Sequence, residues 1–243
     1  MIKLILNLAQ LFIAIIITLL FSSCGFNTKT LDGSGNVTTQ NRQVQGDFTF
    51  IAASNGLEIY IVQGAKSSVV VEADDNLQQH IKTEVKGNEL TIKCDVNIDN
   101  AAAKRVTVTL PKIEGIEASA GCLLRSKTQL KGNDINLSAS SGSNVEVTVD
   151  AQKITAEASS GSSLKVSGRT DDLKTDSSSG SSLNAEALIA KNVKADASSG
   201  GNITVNPTES LNADASSGSS VNYVSTPKKI NSDASSGGSI SQQ

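Results

Sequence analysis

From Ile116 to Ile240 the chain alternates apolar and polar residues, and the alternation restarts at a glycine about every twenty positions. Gly121, Gly142, Gly161, Gly180, Gly200, Gly218 and Gly237 lie 21, 19, 19, 20, 18 and 19 residues apart, and all but the first follow a Ser-Ser pair. Seven positions before the glycine, six of the seven units carry a large aliphatic: Ile135, Ile154, Leu173, Val193, Leu211 and Ile230. Three positions after it stand Leu124, Val145, Leu164, Leu183, Ile203, Val221 and Ile240. Ala or Ser fills the position three before. Every apolar column falls at an odd offset, so the period is two, which predicts strands with one buried face. Helix is a poor competitor because the spacing never turns to 3.6 and Ser-Ser-Gly interrupts each run. A repeat of about twenty residues through seven units predicts a solenoid, each unit forming one coil. The expected architecture is an all-β parallel β-helix with small-residue corners at Ser-Ser-Gly.

The first half keeps the offsets less strictly. Ile51, Ala53, Ile59 and Ile61 surround Gly56, and Leu90 and Ile92 follow Gly87. The 65 residues from Gly56 to Gly121 leave room for about three coils with inserted loops. Asp74–Ile81 reads as one insertion, with a helical turn opened by Asp75 or Asn76 as N-cap. Phe48, Phe50 and Tyr60 gather here, so this end is expected to cap and nucleate the stack.

The N-terminus has a different grammar. Met1-Ile2-Lys3 is followed by an apolar run from Leu4 to Phe21 and by Ser22-Ser23-Cys24. This predicts a secretory signal over residues 1–23, with a retained membrane span as the rival reading. Small residues before a lone cysteine resemble a bacterial lipobox, with Phe21 where Leu is commoner, and imply lipidation of Cys24. Residues 24–46, rich in Gly, Thr, Asn and Gln, read as a flexible tether. One domain then spans 47–243, with irregular coils over 47–115 and regular ones over 116–243.

Composition narrows the chemistry. A net charge of −3 gives no basic field, which removes nucleic acid as an expected partner. Cys94 and Cys122 would sit in an oxidising compartment, where two thiols suggest a disulfide; their parity with Leu90, Ile92 and Leu124 suggests small core residues instead. Four positions before the glycines stand Glu117, Ser138, Glu157, Asp176, Asp196, Asp214 and Asp233. Stacked one coil apart, Glu157, Asp176, Asp196, Asp214 and Asp233 form an outward acidic column. It could bind a ligand or Ca²⁺, or serve as a solvated face that keeps the sheet soluble. His80 is the single histidine, no base stands beside the repeated serines, and no Cys/His cluster has metal spacing. No catalytic residue, metal or cofactor is assigned. The absence of Trp and the presence of only two Tyr argue against a sugar-stacking platform.

The leader runs Gly46-Asp47-Phe48, Val62-Gln63-Gly64, Val69–Asp74, Leu90-Thr91-Ile92 and Val106–Pro111. With the glycine-serine coils behind it, residues 46–240 resemble the head GIN domain of auto-transporter adhesins, a family common in Bacteroidetes as exported lipoproteins. The resemblance implies a right-handed β-helix, pectin-lyase-like in shape, without established catalytic residues. The function expected is that of a non-enzymatic, lipid-anchored protein of the outer membrane, serving adhesion, scaffolding or contact with envelope components. The alternative is a polysaccharide lyase or hydrolase using the outward acids. Expected partners are the membrane through Cys24 and a glycan or envelope protein. The final residues, 239–243, predict either a short covering turn or weak self-association through the edge of the last coil.

Overall fold

A computed structural model describes residues 30–243; the expected signal segment 1–23 and Cys24 lie outside the described residues. The described chain forms one compact unit from Leu31 onward, all β, with a mixed sheet followed by a solenoid of about seven coils.

The mixed region begins with β1 (Thr30–Leu31) and β2 (Val37–Arg42), followed by β3 (Phe50–Ala53) and β4 (Glu58–Gln63). Next come β5 (Ser68–Asp74), β6 (Ile81–Lys86), β7 (Glu89–Cys94), β8 (Asn97–Ile98) and β9 (Lys104–Leu110). Residues 30–31 and 37–42 are therefore strand within the segment where a tether was expected. β2 runs antiparallel to β5 from Val37↔Asp74 to Arg42↔Val69. It is an edge strand that buries little side-chain surface, so its polar composition looks like coil. The backbone ladder and the Arg42 guanidinium, which donates to the Gln78 carbonyl at 2.6 Å, hold it in place.

The solenoid strands are β10 (Gly115–Ala118), β11 (Leu123–Ser126), β12 (Leu130–Ala139), β13 (Asn144–Ala158), β14 (Ser163–Ser177) and β15 (Ser182–Ala197). They continue as β16 (Asn202–Ala215), β17 (Ser220–Tyr223), β18 (Lys229–Ala234) and β19 (Ser239–Gln242). β10 pairs in parallel with β3, Gly115 opposite Phe50, and β11 with β4, Leu123 opposite Glu58. The coil of Gly121 thus rests directly on that of Gly56, and the expected three coils between them are not there. The intervening chain instead folds back beneath the first coil. β7 and β9 pair in parallel with β3 and β4, while β6 and β5 add antiparallel to β7 and β9. Short turns, such as that at Gly87, reverse the chain before a full coil can form. The predicted helical turn near Asp75 is a set of hydrogen-bonded turns over 75–80 that seats Leu77 in the core.

Above this cap the sequence pattern governs. Val145, Leu164, Leu183, Ile203 and Val221 pair in direct register, and each is at most 1 % exposed. Ala156, Thr175, Ala195 and Ala213 likewise stack, fully buried. Each Ser-Ser-Gly is the corner of a tight turn. Ser141 and Gly142 take φ of 50° and 70°, and the Ser143 amide donates to the Ser140 carbonyl at 3.1 Å. Two successive positive φ values define a type I′ turn, which reverses the chain sharply. The corners are also linked along the stack, since the Gly142 amide donates to Ser160 O and the Gly161 amide to Ser179 O, each at 3.1 Å.

The serine after the glycine points inward. Ser143, Ser162, Ser181 and Ser219 are buried, and each hydroxyl donates at 2.8 Å to a carbonyl of the preceding coil. Cys122 takes this position in the coil of Gly121. Both Cys122 and Cys94 are free, buried thiols, their pKa pushed up by burial. At the other end, residues 239–242 are a strand paired with β17, not a covering turn.

Candidate ligand-binding corner

The acidic column exists as the spacing predicts. Glu157, Asp176, Asp196, Asp214 and Asp233 are consecutive partners in the parallel ladder. Neighbouring strands lie about 4.8 Å apart, so the carboxylates repel one another in series. Lys194, two residues before Asp196 on the same outward face, donates to Asp196 Oδ2 at 2.9 Å. Its pKa is raised by that bond and by the Asp196 charge, with smaller contributions from Asp214 and Asp176 in the adjoining coils. Among the described residues no three His, Cys, Asp or Glu side chains converge as a metal set. A straight ladder sends its carboxylates out in parallel, whereas a cation needs them aimed at one point. His80 bonds Asp95 at 2.6 Å on the cap and belongs to no nucleophile array.

A site that the periodic reading missed lies at the corner opposite Ser-Ser-Gly. There each coil turns from its first strand run into its second, at residues 150–152, 169–171 and 189–191. A groove of about 450 Å³ opens along this corner, lined by Asp150, Gln152, Arg169, Asp171, Ile189 and Lys191 among others. A second hollow of about 430 Å³ shares Gly132 and Asn133 with it and runs on to Lys112, Glu114 and Phe50. Together they trace a furrow across successive coils.

Two ion pairs and one aliphatic side chain give the furrow its character. Arg169 meets Asp150 of the coil before through two bonds, Nε to Oδ1 at 2.9 Å and Nη2 to Oδ2 at 2.7 Å. The guanidinium holds the Asp150 carboxyl below its ordinary pKa, and Arg169 is raised in turn. Lys191 pairs with Asp171 at 2.7 Å. Between these pairs Ile189 is 55 % exposed, the most exposed large aliphatic among the described residues. It is Arg169's partner in the ladder, so an apolar side chain follows a charged pair in the same column.

The backbone is irregular here for a local reason. Register shifts fall between Lys165 and Gly168, and between Asn184 and Ile189 in the next pair of strands. Gly168 has φ 116°, and a Cβ there would collide with the carbonyl of Val149. That backbone angle and so close an approach of the preceding coil are open only to glycine. Thr170 closes the corner, its hydroxyl placed 3.1 Å from the carbonyls of both Gln152 and Asp172. The one signal in the sequence was the uneven glycine spacing of 20 then 18 residues, which marks a coil with an extra residue beside one with fewer.

Residues 47–227 match the family described as "Putative auto-transporter adhesin, head GIN domain", and the chain belongs to that family. The fold is similar to that of a "putative adhesin" from Bacteroides fragilis, with a TM-score of 0.82 at 23 % identity, covering 88 % of this chain and 100 % of that one. It is also similar to a "putative lipid binding protein" from Parabacteroides distasonis, with a TM-score of 0.73 at 19 % identity and coverage of 88 % and 100 %. A "putative adhesin" from Parabacteroides merdae gives a TM-score of 0.73 at 16 % identity, with 88 % and 99 % covered. No curated protein matches the chain.

Proposed function

We propose that this chain is a non-enzymatic, lipid-anchored protein of the outer membrane that binds a surface polymer or envelope protein along the furrow at Asp150, Arg169, Ile189 and Lys191. The observation that carries the reading is the furrow itself. It crosses several coils, so it suits an extended ligand rather than a small one. Its two ion pairs leave it close to neutral, and Ile189 offers apolar contact between them. Membership in an adhesin family supports binding as the task. The lipobox-like Phe21-Ser22-Ser23-Cys24 supports export and an acyl anchor on Cys24.

The test compares the unit Leu31–Gln243 with its Ile189→Asp variant for binding to bacterial surfaces, host cells and glycan arrays. Ile189 is more than half exposed, so the variant keeps the fold, checked by circular dichroism. Loss of at least tenfold in binding is expected. Equal binding by both proteins, or no binding by either, would remove the furrow from the proposal. Labelling of the full chain with a radioactive fatty acid, lost in Cys24→Ser, tests the anchor separately.

A further inference from the structure

The last coil presents an unusual combination of free backbone and charge. β18 pairs only with β16, and β19 only with β17, so among the described residues the outer edges of both strands have no partner. Ile230, whose column is buried in the coils before it, is 43 % exposed here, and Ile240 is half-buried.

The hydrogen-bonding phase of β18 can be read from its neighbours. The even-offset amides point back, as in Asn136 N–H to Glu114 O and Ser235 N–H to Ala215 O. Their outward side chains in β18 are Lys229, Asn231 and Asp233. Along a strand the direction of these groups alternates, so the N–H and C=O of Ile230, Ser232 and Ala234 face the open side. An incoming antiparallel strand must therefore form its bonded pairs with these residues.

We infer that the open edge of β18 pairs with the same strand of a second copy, antiparallel about a two-fold axis at Asn231. In this register Ile230 lies opposite Ser232 of the second copy, exchanging both backbone bonds in the correct phase. Asn231 faces its own equivalent in a non-bonded pair, where side chains approach most closely. Lys229 falls opposite Asp233, and symmetry supplies that opposite-charge pair twice. Moving the register by two residues toward the C-terminus sets Asn231 against Asp233 and loses both pairs. Charge therefore selects one register among those that the backbone permits. The asparagine pair continues a contact already present within the chain, since Asn231 Nδ2 donates to Asn212 Oδ1 at 2.8 Å. The contact is isologous, so it closes at two copies and does not propagate. It would also cover Ile230 at the open end of the core.

The experiment uses the unit Leu31–Gln243, which has its own core. Asn231→Cys should give a disulfide-linked dimer on air oxidation, because Cys94 and Cys122 are buried. Asn212→Cys, one coil inward in the same column, should not. In sedimentation equilibrium, Lys229→Glu should weaken dimerisation about tenfold, as two attractive pairs become repulsive at a few tenths to 1 kcal/mol each. Adding Asp233→Lys to it should restore the dimer, since the pair is then reversed in both copies. A monomer at all concentrations, no cross-link at Asn231, or a double variant as weak as the single would overturn the inference. None of these readouts involves the furrow, so the two proposals fail separately.

Discussion

The six Ser-Ser-Gly turns ask an L-residue to do what glycine and asparagine do more easily. Ser141, Ser160, Ser179, Ser199, Ser217 and Ser236 all sit at φ between 48° and 54°. In that region Cβ crowds the backbone, at about 1 kcal/mol or more for most residues. Asn tolerates the conformation and, followed by Gly, is the favoured first central residue of a type I′ turn. Ser160→Asn is therefore expected to stabilise the protein by about 0.5–1 kcal/mol, read as a rise in urea midpoint at unchanged slope. The inward serines behave differently. Ser162 accepts the Ser159 amide at 3.1 Å and donates to Ala139 O at 2.8 Å, so its hydroxyl joins two coils. The sequence shows both kinds of serine as one tract. Position relative to the glycine separates them, since the turn serine precedes it and the buried one follows it, but only the coordinates show the hydrogen bonds that make a buried hydroxyl stable there.

At the scale of elements the solenoid strands were readable and the cap was not. A column repeated seven times is specified many times over, so Leu164, Leu183 and Ile203 could be placed without a structure. β2 and β6 are single edge strands with half-polar sequences, and pairing between distant segments leaves no periodic trace. What holds the cap is Asp74, a fully buried side chain. It accepts the amides of Gly35 at 2.8 Å, Ala103 at 2.9 Å and Ala102 at 3.3 Å, and so ties the segment before β2 to the loop before β9. These donors, with the Gly35 amide foremost, hold its pKa below the ordinary carboxylate range against the opposing effect of burial. A depressed folded pKa gives stability that is present above the unfolded value near ~3.9 and is lost as pH falls through the folded one. Asp74→Asn presents an NH₂ group to a cluster of N–H donors and should destabilise the protein at pH 7. The difference in urea midpoint from the parent should hold down to about pH 4 and shrink below it. A difference that stays constant down to pH 2 would mean that the charge of Asp74 contributes nothing.

The whole molecule separates into a repeat that builds the fold and a departure from the repeat that builds the furrow. The furrow was illegible from columns because it consists of their exceptions: a bulge in β15 opposite Lys165–Gly168, an exposed Ile189, and ion pairs formed between coils. That separation can be tested by removing one coil. β13 and β14 align with a constant offset of 19 residues, Val145 with Leu164 and Ala158 with Ser177. Deleting 163–181 joins Ser162 to Ser182 and leaves every later column in phase. Because each coil contacts mainly its neighbours, the shortened protein should still fold in one cooperative transition. Its urea slope should fall by about a tenth, in line with the surface removed. Deleting 163–170 instead puts Asp172 in the buried slot of Leu164, inverts the facing of the run that follows and should abolish folding. The in-phase deletion also takes out Arg169 and Asp171, so Asp150 and Lys191 lose their partners. A protein that keeps its far-ultraviolet spectrum and cooperative unfolding but loses surface binding would place recognition in the irregular corner. Binding retained after that deletion would instead place it on a face that every coil shares, such as the acidic column.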